Sequence, residues 1–138
     1  MIRVSSVQDK DAQRVLCGMC GIEYDPDFMA YEAQDDETGE VLCCAQFTLA
    51  AGGFGVLESI GTADISEKAE KEFTRNGILL VTGRAAMNFM DLAGFHKARP
   101  SAEILKDEHL TKMLGFSRGG DGIWSCDLER LFMGEHHA

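Results

Sequence analysis

Residues 64–94 form one long helical stretch between two groups of strand-like segments, and this interruption decides the topology. Asp64-Ile65-Ser66-Glu67 has capping-box chemistry, a short acceptor followed three residues later by a glutamate. From there to Ala93 the spacing predicts helix, with an interruption near Asn76-Gly77. Ile78, Thr82, Ala85, Phe89 and Leu92 recur on one face, beside a second row of Leu79, Ala86, Met90 and Ala93. Gly94 follows as a C′ stop. A parallel strand pair needs a crossover of about a dozen residues or more, and this helix supplies one.

Before it, Ile2–Val7 reads as a strand, and Asp9 or Asp11 caps a helix striped by Val15, Leu16 and Met19. Tyr24–Asp27 is a turn signal. Residues 28–34, 41–49 and 54–60 then make three strands, joined by the polar tip Asp35–Glu40 and by Gly52-Gly53. Such short connections predict an antiparallel meander. After the long helix come a strand at Phe95–Ala98 and a helix capped by Ser101, carrying Ile104, Leu105, Leu110 and Met113. A turn at Gly115 feeds Phe116 into a closing hairpin, with Gly119–Gly122 as its turn and Trp124 on the returning strand. The expected fold class is α/β (α+β). Its sheet is mixed, mostly antiparallel and six- to seven-stranded, with helices on both faces and a splayed parallel pair at strands four and five.

Length and composition set bounds. The chain has 138 residues, is 45% apolar and has only two prolines, which predicts a single folded domain over residues 1–138. No apolar run approaches the roughly 18 residues of a membrane span, and the first residues lack the apolar region of a secretory signal. A cytoplasmic protein without membrane partners is expected. The net charge of −10 repels nucleic acid backbones, so no nucleic acid partner is expected either. Nearly all the excess acid lies in residues 1–69. That surface would attract a cationic amine or a basic protein partner; its plainer reading is a solubilising surface. Five cysteines give no even disulfide framework. Cys17 and Cys20 have metal-motif spacing, and Cys43-Cys44 offer two more thiolates. Neighbouring strand residues point to opposite faces, however, so no metal is expected. The tail Glu135-His136-His137 is read as frayed.

Three stretches carry a resemblance: Arg84–Gly94, Glu108–Phe116 with its Leu114-Gly115-Phe116 turn, and Ile123–Phe132. Together with the element order, they resemble the GNAT superfamily (general control non-repressible-related N-acetyltransferases). The resemblance implies acyl transfer, with acetyl-CoA as co-substrate and a small-molecule amine as acceptor; a homodimer is left open. In the family, a Gln/Arg-x-x-Gly-x-Gly/Ala turn opening the long helix holds pyrophosphate on backbone amides. Here the corresponding residues are Arg75, Asn76, Gly77, Ile78 and Leu79, with Thr74 at the Gln/Arg position and Leu79 at the small one. Arg75, Lys71 or Arg84 would offset phosphate charge. Ser59 and Ile60 on strand four would hold the pantetheine arm, and Glu58 would deprotonate the amine. A solvent-facing strand residue is the plainer reading of Glu58. Thr111 falls where many members have a tyrosine acid, and threonine is too weak an acid for that role. His109 would act only through water. The alternative is a catalytically inactive scaffold of the same fold that binds a ligand or a protein.

Overall fold

In a computed structural model, which describes residues 1–136, the chain forms one seven-stranded sheet. The strands are β1 (Ile2–Val7), β2 (Met29–Asp35), β3 (Val41–Leu49), β4 (Gly55–Thr62), β5 (Lys97–Pro100), β6 (Ser117–Arg118) and β7 (Trp124–Asp127). They lie in the order β1-β2-β3-β4-β5-β7-β6. All neighbours pair antiparallel except β4 and β5, which are parallel as the crossover requires. The helices are α1 (Lys10–Met19), α2 (Glu67–Phe73), α3 (Arg75–Leu92), α4 (Ala102–Leu105), α5 (Glu108–Leu114) and α6 (Leu128–His136).

Strand β3 is the centre of the core. Leu42 to Phe47 are all buried, because both faces of the strand are covered. Alternation sorts them. Gln46 bonds to Gln13 of α1, and Cys44 is buried in one cluster with Leu16 and Cys17, so even-numbered residues face α1. Ala45 and Phe47 are buried in one cluster with Ala86, Met87 and Met90 of α3, so odd-numbered residues face α3. Helix α3 buries Ile78, Thr82, Gly83, Ala86, Met87 and Met90 against this side. Burying each large side chain there contributes about 1.5–3 kcal/mol. A Cβ at Gly55 would collide with Met90, which explains how closely α3 approaches the strand.

The boundaries differ from the sequence reading for identifiable reasons. Asp9 caps α1, but the buried stripe is Gln13, Leu16 and Cys17; Val15 and Met19 are exposed. The helix turns a polar glutamine inward because partners wait there. Ser66, not Asp64, caps α2, accepting from the Ala69 amide. The long helix breaks at Thr74, two residues before the expected place, where the backbone takes φ 62° and ψ 148°. Its core-facing row runs through 78, 82–83, 86–87 and 90 rather than along either expected row. The strand expected at Phe95–Ala98 sits two residues later, as β5. The single helix after Ser101 is two, restarted when Asp107 caps α5. Helix α6 is an addition: the tail expected to fray is helical to His136 and buries Leu128 and Phe132. His137 of the Glu135-His136-His137 motif lies outside the described residues.

Candidate functional site

Strand β4 holds the site because its two edges have different lengths. On one edge it pairs with β3 as far as Thr62. On the other, pairing with β5 stops at Leu57 and Pro100. Ser101 then pulls the chain away: its amide donates to Leu57 O at 2.9 Å, its hydroxyl to Glu58 O at 2.6 Å, and the same hydroxyl caps α4. A β-bulge sits at the parting. Gln46 pairs with Ser59 and Phe47 with Leu57, which leaves Glu58 as the extra residue. From Glu58 to Thr62 the second edge of β4 has no strand partner among the described residues.

Over this free edge opens a cleft of about 910 Å³, within the size range of small-molecule sites. Its floor is Glu58 to Gly61, one wall is the α1–β2 loop from Cys20 to Asp25 with Phe28, and the other runs from Ser101 to Leu110. Acids dominate the lining: Glu23, Asp25, Glu58, Glu103 and Asp107, with one lysine, Lys106, which pairs with Glu103 at 2.7 Å. The Glu58 carboxylate accepts from the Thr48 hydroxyl at 2.7 Å, which orients it on the α1 face of the sheet.

A buried amide network holds the loop wall. Gln46 Nε2 donates to Glu23 O at 2.7 Å and to Ser59 Oγ at 3.0 Å. Its Oε1 accepts from Gln13 Nε2 at 2.9 Å and from the Asp25 amide. Gln13 in turn donates to Phe28 O, which also accepts from Lys10 Nζ. The sequence reading missed Gln13 and Gln46. The available signal was a lone glutamine inside the apolar run Leu42–Phe47, which burial obliges to find partners. Gly61 brings the same loop onto β4: a Cβ there would strike the Cys20 carbonyl and Ile22.

Of the sequence-expected residues, Glu58, Ser59 and Ile60 meet in the cleft. Arg75, Asn76, Gly77, Ile78 and Leu79 lie at the head of α3 and do not line it. The Thr74 hydroxyl takes the Gly77 amide at 3.1 Å, leaving those of Arg75 and Asn76 as the leading donors. Arg75 reaches Thr62, next to the cleft floor, through a hydrogen bond to its hydroxyl. Ile78 is fully buried, and Leu79 packs on the core. Arg84 is committed elsewhere, donating from Nε to Leu114 O at 2.7 Å. Thr111 is fully buried and its hydroxyl donates to Ile104 O and Asp107 O, so it does not face the cleft.

The cysteines are free and buried. Burial pushes Cys20 up to about 12 and Cys43 up to about 11, and raises Cys17 and Cys44 as well, so these groups stay thiols. Among the described residues no group of three His, Cys, Asp or Glu is placed to hold a metal ion. No helix among them is long and apolar enough to cross a membrane.

No family model and no curated protein matches the sequence. Solved structures do match the fold. The aminoglycoside acetyltransferase AAC(6')-Ib, solved with coenzyme A and kanamycin, aligns over 99% of both chains at TM-score 0.64 and 12% identity. A KacTA–DNA complex aligns over 100% of both chains at TM-score 0.62 and 9% identity. A Bacillus subtilis acetyltransferase in complex with CoA aligns over 93% of this chain and 99% of its own, at TM-score 0.61 and 13% identity. Since one of these folds was solved in a DNA complex, the fold itself does not exclude nucleic acid.

Proposed function

The chain has the fold of the GNAT acetyltransferases, and we propose that it works as one, passing an acetyl group from acetyl-CoA to an amine. The observation that carries this reading is the parting of β4 from β5 after Leu57–Pro100, beneath an acid-lined cleft. A free strand edge offers backbone donors and acceptors along Ser59 and Ile60 to an extended amide-bearing chain such as pantetheine. The cleft volume suits that arm together with a small acceptor. The amides of Arg75 and Asn76 and the Arg75 side chain would serve the pyrophosphate, while Gly77 contributes only if the Thr74 hydroxyl yields its amide. When bound, acetyl-CoA supplies a thioester carbon open to attack, the C–S bond breaking as the C–N bond forms.

Glu58 supplies what the acceptor needs. An amine near neutral pH arrives as ammonium, which the acidic lining attracts. It must lose a proton before its lone pair is free. The carboxylate, steadied by Thr48, takes that proton directly or through one water. The departing sulfur is protonated from water, because the Thr111 hydroxyl is spent on backbone carbonyls. Holding amine and thioester together supplies much of the rate, so a dedicated acid is dispensable.

The capped Gly77 amide and the committed Thr111 hydroxyl favour a second reading, a scaffold that binds without turnover. Calorimetric titration with acetyl-CoA and a free-thiol assay over an amine panel separate the two. Binding with thiol release supports transfer, and binding without release supports the scaffold. No binding removes coenzyme A from both.

A further inference from the structure

Beside the cleft, β5 carries two cations that have no ion-pair partner among the described residues. Lys97 and Arg99 alternate onto one face. Arg99 pairs with Val56, which lies opposite Thr48, and Thr48 bonds to Glu58, so all these residues share the face bearing the Glu58 carboxylate. Arg99 stacks over Phe54 at 4.1 Å from the ring centroid. Its Nε is shut off from solvent and has no hydrogen-bond partner. Among the described residues neither Lys97 nor Arg99 forms an ion pair, although the chain carries a net charge of −10. Among the described residues neither side chain makes a hydrogen bond through its remaining N–H donors, which leaves a guanidinium and an ammonium free to make charge-assisted bonds to an oxyanion. With Gly119, Gly120 and Ser125, these cations line a depression of about 390 Å³. Asp121 also reaches it, but its Oδ1 accepts from the Ile123 amide at 3.0 Å and so turns into the hairpin.

We propose that this depression is an oxyanion subsite for the acceptor, which is therefore an elongated amine bearing a carboxylate or phosphate at its far end. The proposal rests on the transferase reading above. Strand rise and spacing put the Cα atoms of Arg99 and Glu58 roughly 8 Å apart. Arg99 leans toward Phe54, away from Glu58, so the amine and oxyanion sites are on the order of 10 Å apart. A single α-amino acid is too short for that span. A tripeptide, at about 3.3–3.6 Å per residue, reaches from its amino group to its carboxylate. The acidic cleft takes the ammonium end and the basic depression takes the anion, which gives a zwitterion its orientation.

Trialanine and trialanine amide differ only in the anion and so test the idea directly; a phosphorylated amine of similar length separates phosphate from carboxylate. With acetyl-CoA, wild type should favour the free acid over the amide by roughly 10-fold in kcat/KM. Arg99→Gln should bring that ratio to within about 2-fold, and Lys97→Gln, at an exposed site with little folding risk, should lower it partway. A wild-type ratio near one, or a ratio that survives both substitutions, overturns the subsite. If no amine turns over, the transferase reading fails but the subsite is still tested by binding. Trialanine should then shift the amide resonances of Lys97, Gly119, Gly120 and Ser125, whereas the amide analogue should not; equal or absent shifts overturn it.

Discussion

The α1 face of the sheet is finished in two different ways. Over β1 to β3 it is sealed: α1 lies across it, Cys17 and Leu16 pack down, and Gln13 and Gln46 satisfy one another and the loop carbonyls. Over β4, β5 and β7 that face instead carries Glu58, Lys97 and Arg99 around a cleft and a depression, the cleft walled by the segment from Ser101 to Leu110. A short helix of ten residues covers only part of a seven-stranded sheet. The loop leaving α1 reaches β4 at Gly61 and stops there. Polar groups on the sealed side are therefore spent on structure, while those on the open side remain available for chemistry.

Substitutions across the boundary should give effects that fall with distance from the reacting groups. Glu58→Gln should have the largest. It keeps the bulge and a partner for Thr48 but removes the base, lowering kcat for an ammonium-form acceptor by about 10²–10⁴. A rise in pH should recover part of this loss as the free amine becomes abundant. Equal rates for variant and wild type in the thiol-release assay would assign Glu58 to structure alone. Gly61→Val should come next, destabilising by about 3 kcal/mol in urea titration, since the Cβ meets the Cys20 backbone rather than a yielding side-chain tip. Gln46→Leu should cost about 2 kcal/mol by leaving the Gln13 amide, Glu23 O and Ser59 Oγ short of partners. Hydrogen exchange should then quicken across residues 23–28 and stay unchanged in β5 and β7. Equal quickening on both sides would erase the distinction between sealed and open halves.

The two halves were not equally legible in the sequence. The meander, the parallel pair and the crossover could be read because short turn signals and helical spacing mark them over many residues, and β1 and β3 have the expected bounds. Glu58, Ser59 and Ile60 were correctly gathered on β4, yet their facing was not readable. A bulge shifts alternation by one, and nothing local in Val56–Ile60 announces it. Gln13 was hidden for a related reason: an apolar-stripe count passes over a buried amide whose N–H groups find acceptors 12 to 33 residues away. The head of α3 was placed in the right segment but with the break at the wrong residue. Glycine at 77 suggested the turn, whereas Thr74 takes the positive φ and spends its hydroxyl as the cap. Such a backbone costs about 1–3 kcal/mol at a non-glycine residue, so propensity points away from it.

The smallest expected effect lies on the open half, beside its basic strand. His96 precedes Lys97 and donates from Nδ1 to the Asp91 carboxylate at 2.7 Å, with Glu129 at 3.7 Å and Asp127 also nearby. The hydrogen bond to Asp91 raises its pKa above the usual 6.5; desolvation opposes this, and Glu129 and Asp127 add to it. A group whose folded pKa is raised binds its proton more tightly in the folded state than in the unfolded one. Its contribution is therefore complete below 6.5 and is lost as pH rises through the higher folded value. Melting temperatures of wild type and His96→Asn should differ most at pH 5.5–6 and converge in mildly alkaline buffer. Because the imidazole is half-exposed, added salt should narrow the gap at the acidic end. A gap that widens with pH would mean that the neutral ring is the form the fold prefers. The positive potential of β5 would then come from Lys97 and Arg99 alone.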